Sequence, residues 1–260
     1  MTTDFDAAAA GYDATFTHSV IGKAQRKSVY GLLSDALHES PAQKILEINC
    51  GTGEDAIWLA QQGFEVVASD ISEAMIGVAK SKSDANNPVF RQADINALSQ
   101  NFEGEQFDLI FSNFGGLNCV SSVRLELFFK HASELLTENG RLLLVIMPKN
   151  TKWEQLYFLA KADFKNVFRR KRNSATANVD GQKVLTYYYN PTETAHLAQR
   201  YFAVEKISPI GFFVPPSYLE PFFSKHPTLF SVLDALESAV KNWSFLSKHA
   251  DHYFINLRKR

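Results

Sequence analysis

The sequence predicts an α/β fold in which a parallel sheet carries helices on both faces. From Lys44 to Pro148, short apolar runs alternate with helix-like stretches, as they do in βαβ units. Two further strand-like runs follow at 203–213 and 251–259, so seven strands are expected. A chain of 260 residues, of which 45% are hydrophobic, is long enough for one such domain with an insertion.

Each of the first five predicted strands ends in a turn or leads into a helix. Gly63 is expected to end the first of these helices, Ser72 to cap the second, and Asn139-Gly140 to end the helix before the fifth strand. The strands are expected at KILEIN (44–49), FEVVASD (64–70), PVFRQAD (88–94), FDLIFSNF (107–114) and RLLLVIM (141–147).

The regular alternation ends after Pro148. A helix is expected over 151–168 and a strand over 181–190, preceded by a tight turn at Asp180-Gly181. A helix from Thr192 to Tyr201 and helical pieces from Tyr218 to Lys248 complete the prediction. The segment from about Lys152 to Asn190 is predicted to lie over the carboxyl ends of the strands as an insertion.

Composition excludes few functions. A net charge of −1 gives no reason to expect a nucleic-acid partner, and no apolar run reaches the roughly 20 residues of a membrane span. The start of the chain lacks the basic residues and apolar core of a secretory signal. Two cysteines and no His/Cys cluster predict neither a disulfide framework nor a metal site, and a cytoplasmic location is the expectation.

The turn Cys50-Gly51-Thr52-Gly53 joins the first strand to a helix. Its glycines allow a backbone that a Cβ would block, and the helix N-terminus favours an anionic group. The spacing from Gly51 to Ala56 also fits the dinucleotide fingerprint of NAD enzymes. A tight turn without any ligand is the remaining interpretation.

Acidic residues end the next two strands. Asp70, 19 residues after Gly51, can accept hydrogen bonds from ribose hydroxyls, which serves NAD and S-adenosylmethionine equally, or can cap the next helix. Asp94 can accept a hydrogen bond from an adenine amino group, with Ile71 and Ile95 on the two faces of the base. Asp94 therefore favours S-adenosylmethionine.

The fourth strand ends in Ser112-Asn113-Phe114-Gly115-Gly116, where the reactive end of a cofactor would lie. Ligands of open α/β sheets bind at such strand ends. Four matched strand ends together predict a nucleoside-containing cofactor.

This set of residues resembles the class I S-adenosylmethionine-dependent methyltransferases, particularly the bacterial branch with the biotin-pathway malonyl-carrier-protein methyltransferase and the quinone C-methyltransferases. The resemblance extends from Phe5 to about Pro148. It lies in FDAAAAGYD, LEINCGTGEDA, ASDISEAM, QADINAL, FDLIFSNFGGLN and LTENGRLLLVIMP. It implies a Rossmann-like sheet with an antiparallel seventh strand, DHYFINLRKR. The implied units are lid helices (1–43), the cofactor-binding core (44–150), a cap over the acceptor (151–190) and the rest of the sheet (191–260).

The resemblance also implies the roles of individual residues. Gly51 and Gly53 would hold the methionine moiety, Asp70 the ribose and Asp94 the adenine, with S-adenosylhomocysteine as product. The chain departs from the family at Asn49, where glycine is common. The complete predicted cofactor set is Tyr12, Glu47, Asn49, Cys50, Gly51, Gly53, Asp70, Ile71, Met75, Asp94, Ile95, Ser112, Asn113 and Phe114.

About 43 residues precede the first strand, whereas NAD enzymes usually begin with it. On the predicted lid, Tyr12 can either reach the reacting groups or pack the lid onto the domain. His18, Lys23 and Arg26 are weaker candidates for the same role and are expected to be solvated.

The sequence names no general base. His252 beside Asp251 is the hypothesis to test first, because a carboxylate can orient a histidine; a structural histidine at a strand start is the alternative. His131 and His196 are expected at the surface.

The acceptor is predicted to be small and largely apolar or aromatic, and methylated on oxygen, carbon or nitrogen. Secondary metabolism is a candidate setting for this reaction. Its pocket is predicted from aromatic residues of the insertion and C-terminal region: Trp153, Tyr157, Tyr187, Tyr189, Phe212, Phe213 and Tyr218. The basic run Arg169-Arg170-Lys171-Arg172 is either a solvated loop or a docking site for an anionic substrate or an acidic partner, with an acyl carrier protein as the hypothesis. RNA is disfavoured, because the run has little aromatic interleaving and no recognised RNA-binding module accompanies it. The protein is expected to be a monomer or homodimer.

Two other classes of function stay open. A non-catalytic methyltransferase-fold scaffold or cofactor sensor would bind the cofactor without turnover. An NAD-dependent oxidoreductase would share the glycine turn and Asp70, but the N-terminal extension, Asp94 and the closing strand disfavour it.

Overall fold

The computed structural model describes residues 6–39, 42–83, 86–172, 174–179 and 182–260. Strands in these ranges form a seven-stranded sheet and a separate two-stranded hairpin. The strands are β1 Lys44–Ile48, β2 Glu65–Asp70, β3 Val89–Gln92, β4 Phe107–Ser112, β5 Leu136–Ile146, β6 Ala175–Val179, β7 Gln182–Thr186, β8 Phe202–Ile210 and β9 His252–Lys259.

The large sheet has the strand order β3-β2-β1-β4-β5-β9-β8. The first five strands pair in parallel, and β9 lies between β5 and β8, antiparallel to both. Strands covered on both faces are apolar along their whole length, as from Leu142 to Ile146. The predicted seven-stranded sheet with an antiparallel last strand is confirmed.

Helices cover both faces of the sheet. One buried cluster joins the sheet to α6 and α8, and the other joins it to α2, α3 and α4. None of the helices within the described ranges is long and apolar enough to cross a bilayer. The helices are α1 Ala9–Tyr12, α2 Val20–His38, α3 Glu54–Gln61, α4 Glu73–Ser81, α5 Leu98–Asn101, α6 Ser122–Leu135, α7 Lys152–Ala160, α8 Pro191–Ala198, α9 Glu220–Phe223 and α10 Pro227–Val240.

Two predicted element boundaries are wrong. The strand β5 begins at Leu136 and runs through Asn139-Gly140, because Leu136 is fully buried and pairs with Phe107. The helix predicted over 151–168 ends at Ala160. There Ala162 takes a left-handed φ of 54°, and the N–H groups of Ala162 and Asp163 bond back to the carbonyls of Leu159 and Phe158, which is a Schellman ending.

Residues 8–13 of the N-terminal segment lie beside the carboxyl ends of the strands. Ala8 and Ala9 pack on Met75 of α4, and Asp13 accepts a hydrogen bond from Thr52 of the glycine turn at 2.6 Å. These contacts hold the N-terminal segment beside the strand ends. Phe5 and the turn predicted at Asp180-Gly181 lie outside the described residues.

A buried carboxylate fixes the loop after β8. Glu237 of α10 accepts hydrogen bonds from the backbone N–H groups of residues 211–214, at 2.7–3.3 Å. An apolar cluster that includes Ile21, Phe223 and Phe230 joins α10 and α9 to α2. The helices α9 and α10 therefore pack against α2.

Candidate functional site

A cleft of about 500 Å³ opens at the carboxyl ends of β1, β2 and β4, a volume typical of small-molecule sites. It lies between the N-terminal segment, the glycine turn and the hairpin β6–β7. Its lining consists of Tyr12, Arg26, Asn49, Cys50, Gly51, Thr52, Glu54, Asp55, Asp70, Ile71, Met75, Asp94, Ile95, Asn96, Asn113, Phe114, Gly116, Cys119, Val120, Val184 and Leu185.

The two glycines of the turn have different surroundings. Gly51 (φ +53°) lines the cleft, and a Cβ added there would meet no atom within 4 Å. At Gly53 (φ +78°), an added Cβ would lie 2.7 Å from the Phe90 ring and 2.8 Å from the Cβ of Ala79. Gly53 lies outside the lining of the cleft. The absence of a side chain at Gly53 allows Phe90 and Ala79 to pack against its backbone.

Asn49 adopts the conformation that glycine would take at this position. Its φ is 55°, in the left-handed region that Asn tolerates better than most residues. Its side-chain amide donates to the Ser112 hydroxyl at 3.3 Å, which ties β1 to β4. The departure from the family pattern therefore leaves the turn intact.

Asp70 organises the turn around it. Its carboxylate accepts the N–H of Gly51 and the N–H of Ser72, both at 2.9 Å. Burial raises the pKa of Asp70, against the lowering effect of these N–H groups. Ser72 caps α4 as predicted, since its hydroxyl accepts the N–H of Met75 at 3.1 Å. A carboxylate has about four acceptor positions, so Asp70 can still accept from a ligand.

Asp94 holds the next turn in the same way. Its carboxylate accepts the backbone and side-chain N–H groups of Asn96, both at 2.8 Å. Ile71 and Ile95 line the cleft beside it. The predicted pairing of an acid with two apolar side chains is thus present at the second and third strand ends.

Arg26 is buried in the cleft, so the expectation that it is solvated is wrong. It is 8% exposed, and its Nε donates to Asp55 at 2.8 Å. Tyr30 and Asn113 also donate to this carboxylate, each at 2.8 Å. The Nη1 of Arg26 has no hydrogen-bond partner among the described residues. The cleft therefore contains a cation that Asp55 holds in place and that has an unused donor. Because buried donors normally have a hydrogen-bond partner, this donor indicates a place for an anionic ligand group.

Tyr12 lines the cleft from the N-terminal segment. Burial raises the pKa of Tyr12 to about 12, so the phenol stays protonated at neutral pH and can donate a hydrogen bond. Its ring packs on Phe16, which in turn meets Phe114 edge to face.

The cleft brings together most of the predicted cofactor residues: Tyr12, Asn49, Cys50, Gly51, Asp70, Ile71, Met75, Asp94, Ile95, Asn113 and Phe114. Glu47, Gly53 and Ser112 lie outside its lining. Burial raises the pKa of Glu47 well above its usual range, with Asp55 adding to the effect, and this side chain is 1% exposed.

Asp251 and His252 do not line the cleft. Asp251 is buried and bound by Arg170 at 3.1 Å and Gln25 at 3.3 Å. His252 lies behind Phe114, which meets its ring edge to face, and its Nδ1 is 3.3 Å from Asp251 without hydrogen-bond alignment. The pair is one side-chain layer from the cleft, which disfavours the direct catalytic role predicted for it.

Two residues of the predicted basic run form ion pairs with a buried carboxylate. Arg169 and Arg170 both bind the buried carboxylate of Glu154, at 2.9–3.0 Å. Burial opposes the charge of Arg170, but Glu154 and Asp251 raise its pKa further above its usual range. The run is therefore not a continuous solvated patch, because only Lys171 and Arg172 are exposed.

Comparison with known proteins identifies the domain that carries this cleft. A protein-family profile described as "Methyltransferase domain" matches residues 45–140, which include β1 to β4, α3 to α6 and the glycine turn. Residues 45–140 are a methyltransferase domain. Within the described part of the chain, no group of three or more His, Cys, Asp or Glu side chains could hold a metal ion.

Two curated relatives match this chain over less than half of their own length. The malonyl-[acyl-carrier protein] O-methyltransferase of Bacillus cereus is 31% identical over 133 residues, which cover 50% of this chain and 47% of the relative. The demethylmenaquinone methyltransferase of Clavibacter sepedonicus is 32% identical over 117 residues, or 45% and 46% of the two chains.

Solved methyltransferases share the whole fold at low identity. The CcbJ methyltransferase of Streptomyces caelestis has a TM-score of 0.64 at 15% identity, covering 99% of this chain and 98% of its own. The magnesium protoporphyrin IX methyltransferase of Synechocystis, solved with bound SAH, has a TM-score of 0.55 at 16% identity, covering 92% and 83%. At these identities the likeness shows the fold alone.

Proposed function

We propose that the chain binds S-adenosylmethionine in the cleft and transfers its methyl group to an oxygen, carbon or nitrogen of a small, largely apolar or aromatic acceptor. The observation that carries this proposal is the joint placement of Asp70, Asp94 and Arg26 around one cleft. Two acids at successive strand ends suit the ribose and the adenine, and a buried cation suits a carboxylate.

The residues fit each part of this cofactor. The unused Nη1 of Arg26 is a donor for the methionine carboxylate, and Gly51 leaves the backbone beside it open. Asp70 would hold the ribose hydroxyls, and Asp94 the adenine amino group between Ile71 and Ile95. When bound, the sulfonium supplies a methyl group that is already activated.

The chain's own residues would then position the acceptor. Phe114, Val120, Val184 and Leu185 supply an apolar wall that excludes water and favours an apolar or aromatic acceptor. Tyr12 is protonated at neutral pH and can donate its hydroxyl to the acceptor, and its pKa, raised to about 12, keeps it protonated well into alkaline pH. Alignment of this kind can contribute roughly 7–11 kcal/mol, which reduces the need for a general base.

A carrier-bound acceptor is a second arrangement, favoured by the Bacillus cereus relative that acts on a malonyl-carrier protein. On this chain it would depend on the exposed Lys171 and Arg172, since Arg169 and Arg170 are bound to Glu154. Lys171→Glu/Arg172→Glu should then reduce turnover of carrier-bound substrate and leave free substrate unaffected. Equal turnover of carrier-bound substrate by both proteins would exclude this arrangement.

Calorimetric titration with S-adenosylmethionine and, separately, NAD tests the proposal on the wild type, Asp70→Asn and Asp35→Asn. Asp35 is a matched control, because it is a surface carboxylate of α2 outside the cleft. Asp70→Asn should weaken S-adenosylmethionine binding about 10- to 100-fold, the effect of a hydrogen bond to a charged group. The control should bind as the wild type does.

Binding of NAD alone would refute the proposal. Binding of neither ligand would favour a scaffold without a cofactor. Binding of S-adenosylmethionine without release of S-adenosylhomocysteine over a panel of phenols, carboxylates and quinols would favour a cofactor sensor.

A further inference from the structure

The segment 152–172, called here the basic cap segment, has a charge unlike that of the rest of the chain. It carries seven basic and two acidic side chains, a net charge of +5 in a chain whose net charge is −1. It comprises α7 and the turns that follow it, up to Arg172. The surplus of charge is therefore concentrated in one short, contiguous part of the fold.

The inward side of the basic cap segment is firmly anchored. Glu154 is buried and binds Arg169 and Arg170. Arg170 also forms an ion pair with Asp251 at 3.1 Å. The indole N–H of Trp153 donates to the carbonyl of Phe212 at 3.0 Å. Both acids of the segment are used locally, since Asp163 accepts a hydrogen bond from Asn166 at 2.7 Å. The outward side is thus presented on a fixed backbone.

The outward side carries five exposed cations: Lys152, Lys161, Lys165, Lys171 and Arg172. None of them forms an ion pair with another residue in the part of the chain that the structure describes. Their positive charge is therefore available to an external anion.

Large apolar side chains are exposed among these cations. Phe164 is 71% exposed and Phe168 55%, and Leu156 and Leu159 are also exposed. The two leucines, three residues apart, share one face of α7 with Lys152, four residues before Leu156. Single exposed apolar residues are ordinary, but four of them within 13 positions, set among cations, form a mixed basic and apolar surface.

We infer that the basic cap segment docks on an anionic lipid surface. Lysine and arginine attract the headgroups, while exposed Phe and Leu enter the boundary between headgroups and acyl chains. An acidic protein partner would account for the cations alone. It gives no reason for two exposed phenylalanines on the turns after α7. Charge complementarity together with these side chains favours the bilayer, and the inference does not depend on the proposed methyl transfer.

Co-sedimentation with phosphatidylcholine vesicles, with and without phosphatidylglycerol, tests this inference on the full chain. The apolar variant is Phe164→Ser/Phe168→Ser, and the charge variant is Lys161→Gln/Lys165→Gln. The matched control is Val123→Ser/Leu127→Ser on α6, where both residues are exposed, Val123 by 77%. Circular dichroism confirms that each variant is folded.

The wild type and the control should bind the anionic vesicles, less strongly as salt increases, and should bind neutral vesicles weakly. Each cap variant should bind the anionic vesicles at least about tenfold more weakly than the wild type, as expected when two apolar anchors or two cations are lost. Failure of the wild type to bind, or equal binding to neutral vesicles, would overturn the inference. The inference would also be overturned if light scattering showed a dimer of the wild type that the apolar substitutions dissociate. Binding of an acidic carrier protein by a chain that does not bind vesicles would overturn it as well.

Discussion

Replacement of each glycine in the cofactor turn by alanine separates packing from ligand binding. Both glycines have a left-handed φ, which costs a residue with a Cβ about 1–2 kcal/mol. At Gly53 the new methyl would also overlap the Phe90 ring at 2.7 Å and Ala79 at 2.8 Å, and such overpacking costs about 1–3 kcal/mol more. The loss of unfolded-chain entropy is the same for both variants.

Gly53→Ala should therefore reduce the free energy of unfolding by about 2–5 kcal/mol, and Gly51→Ala by about 1–2 kcal/mol. The effects on S-adenosylmethionine binding should have the opposite order. Because Gly51 lines the cleft and Gly53 does not, Gly51→Ala should weaken S-adenosylmethionine binding and folded Gly53→Ala should retain it.

Urea unfolding without ligand measures the first quantity, and calorimetric titration measures the second. Equal unfolding free energies for the two variants would refute the packing argument for Gly53. Weaker ligand binding by Gly53→Ala than by Gly51→Ala would refute the assignment of Gly51 to the cleft.

Three further predictions follow from the buried charges. Arg26→Lys keeps a cation beside Asp55 but removes the second donor arm, so the Kd for S-adenosylmethionine measured by calorimetry should rise about 10-fold or more. Arg170→Met should lower the free energy of unfolding by about 3–5 kcal/mol in urea titrations, because it leaves buried carboxylates short of a partner. Asp251→Asn should be less stable than the wild type at pH 7, and this difference should narrow as the pH falls from 5 to 3.

The sign of the last prediction follows from the lowered pKa of Asp251. Burial alone would raise this pKa, but His252, Arg170 and Gln25 hold it well below its usual range. The carboxylate therefore stabilises the fold fully above the unfolded value of about 3.9, and this stabilisation is lost as the pH falls below that value.

Each of these three predictions has an outcome that would contradict it. An unchanged Kd for Arg26→Lys would show that its free donor does not face the ligand. The exposed Arg172→Met, within about 0.5 kcal/mol of the wild type, is the control for Arg170→Met, and equal effects of the two would disprove the buried network. A stability difference for Asp251→Asn that is the same at pH 3 and pH 7 would contradict the lowered pKa.

The sequence was most informative where one chain segment contains the whole pattern. The periodicity of β1 to β4, the glycine turn and the acids Asp70 and Asp94 are local features, and the cleft contains these residues as expected. The end of α6 was misplaced because Asn139-Gly140 is a strong local stop signal. Burial of Leu136 against β4 extends β5 through it.

Local pattern determined the class of fold. The resemblance of its motifs to a known family supplied the closing antiparallel strand and the cofactor domain. Three assignments depended on the tertiary structure. Arg26 became part of the site because its guanidinium, on α2, binds Asp55 of α3 at the cleft. Arg170 is buried and Arg169 half-buried because both bind the buried Glu154, and Phe114 packs on the ring of His252, which does not line the cleft. In each case a charged or aromatic partner distant in sequence decides whether the side chain faces solvent, ligand or core, and a single sequence does not specify which partner it meets.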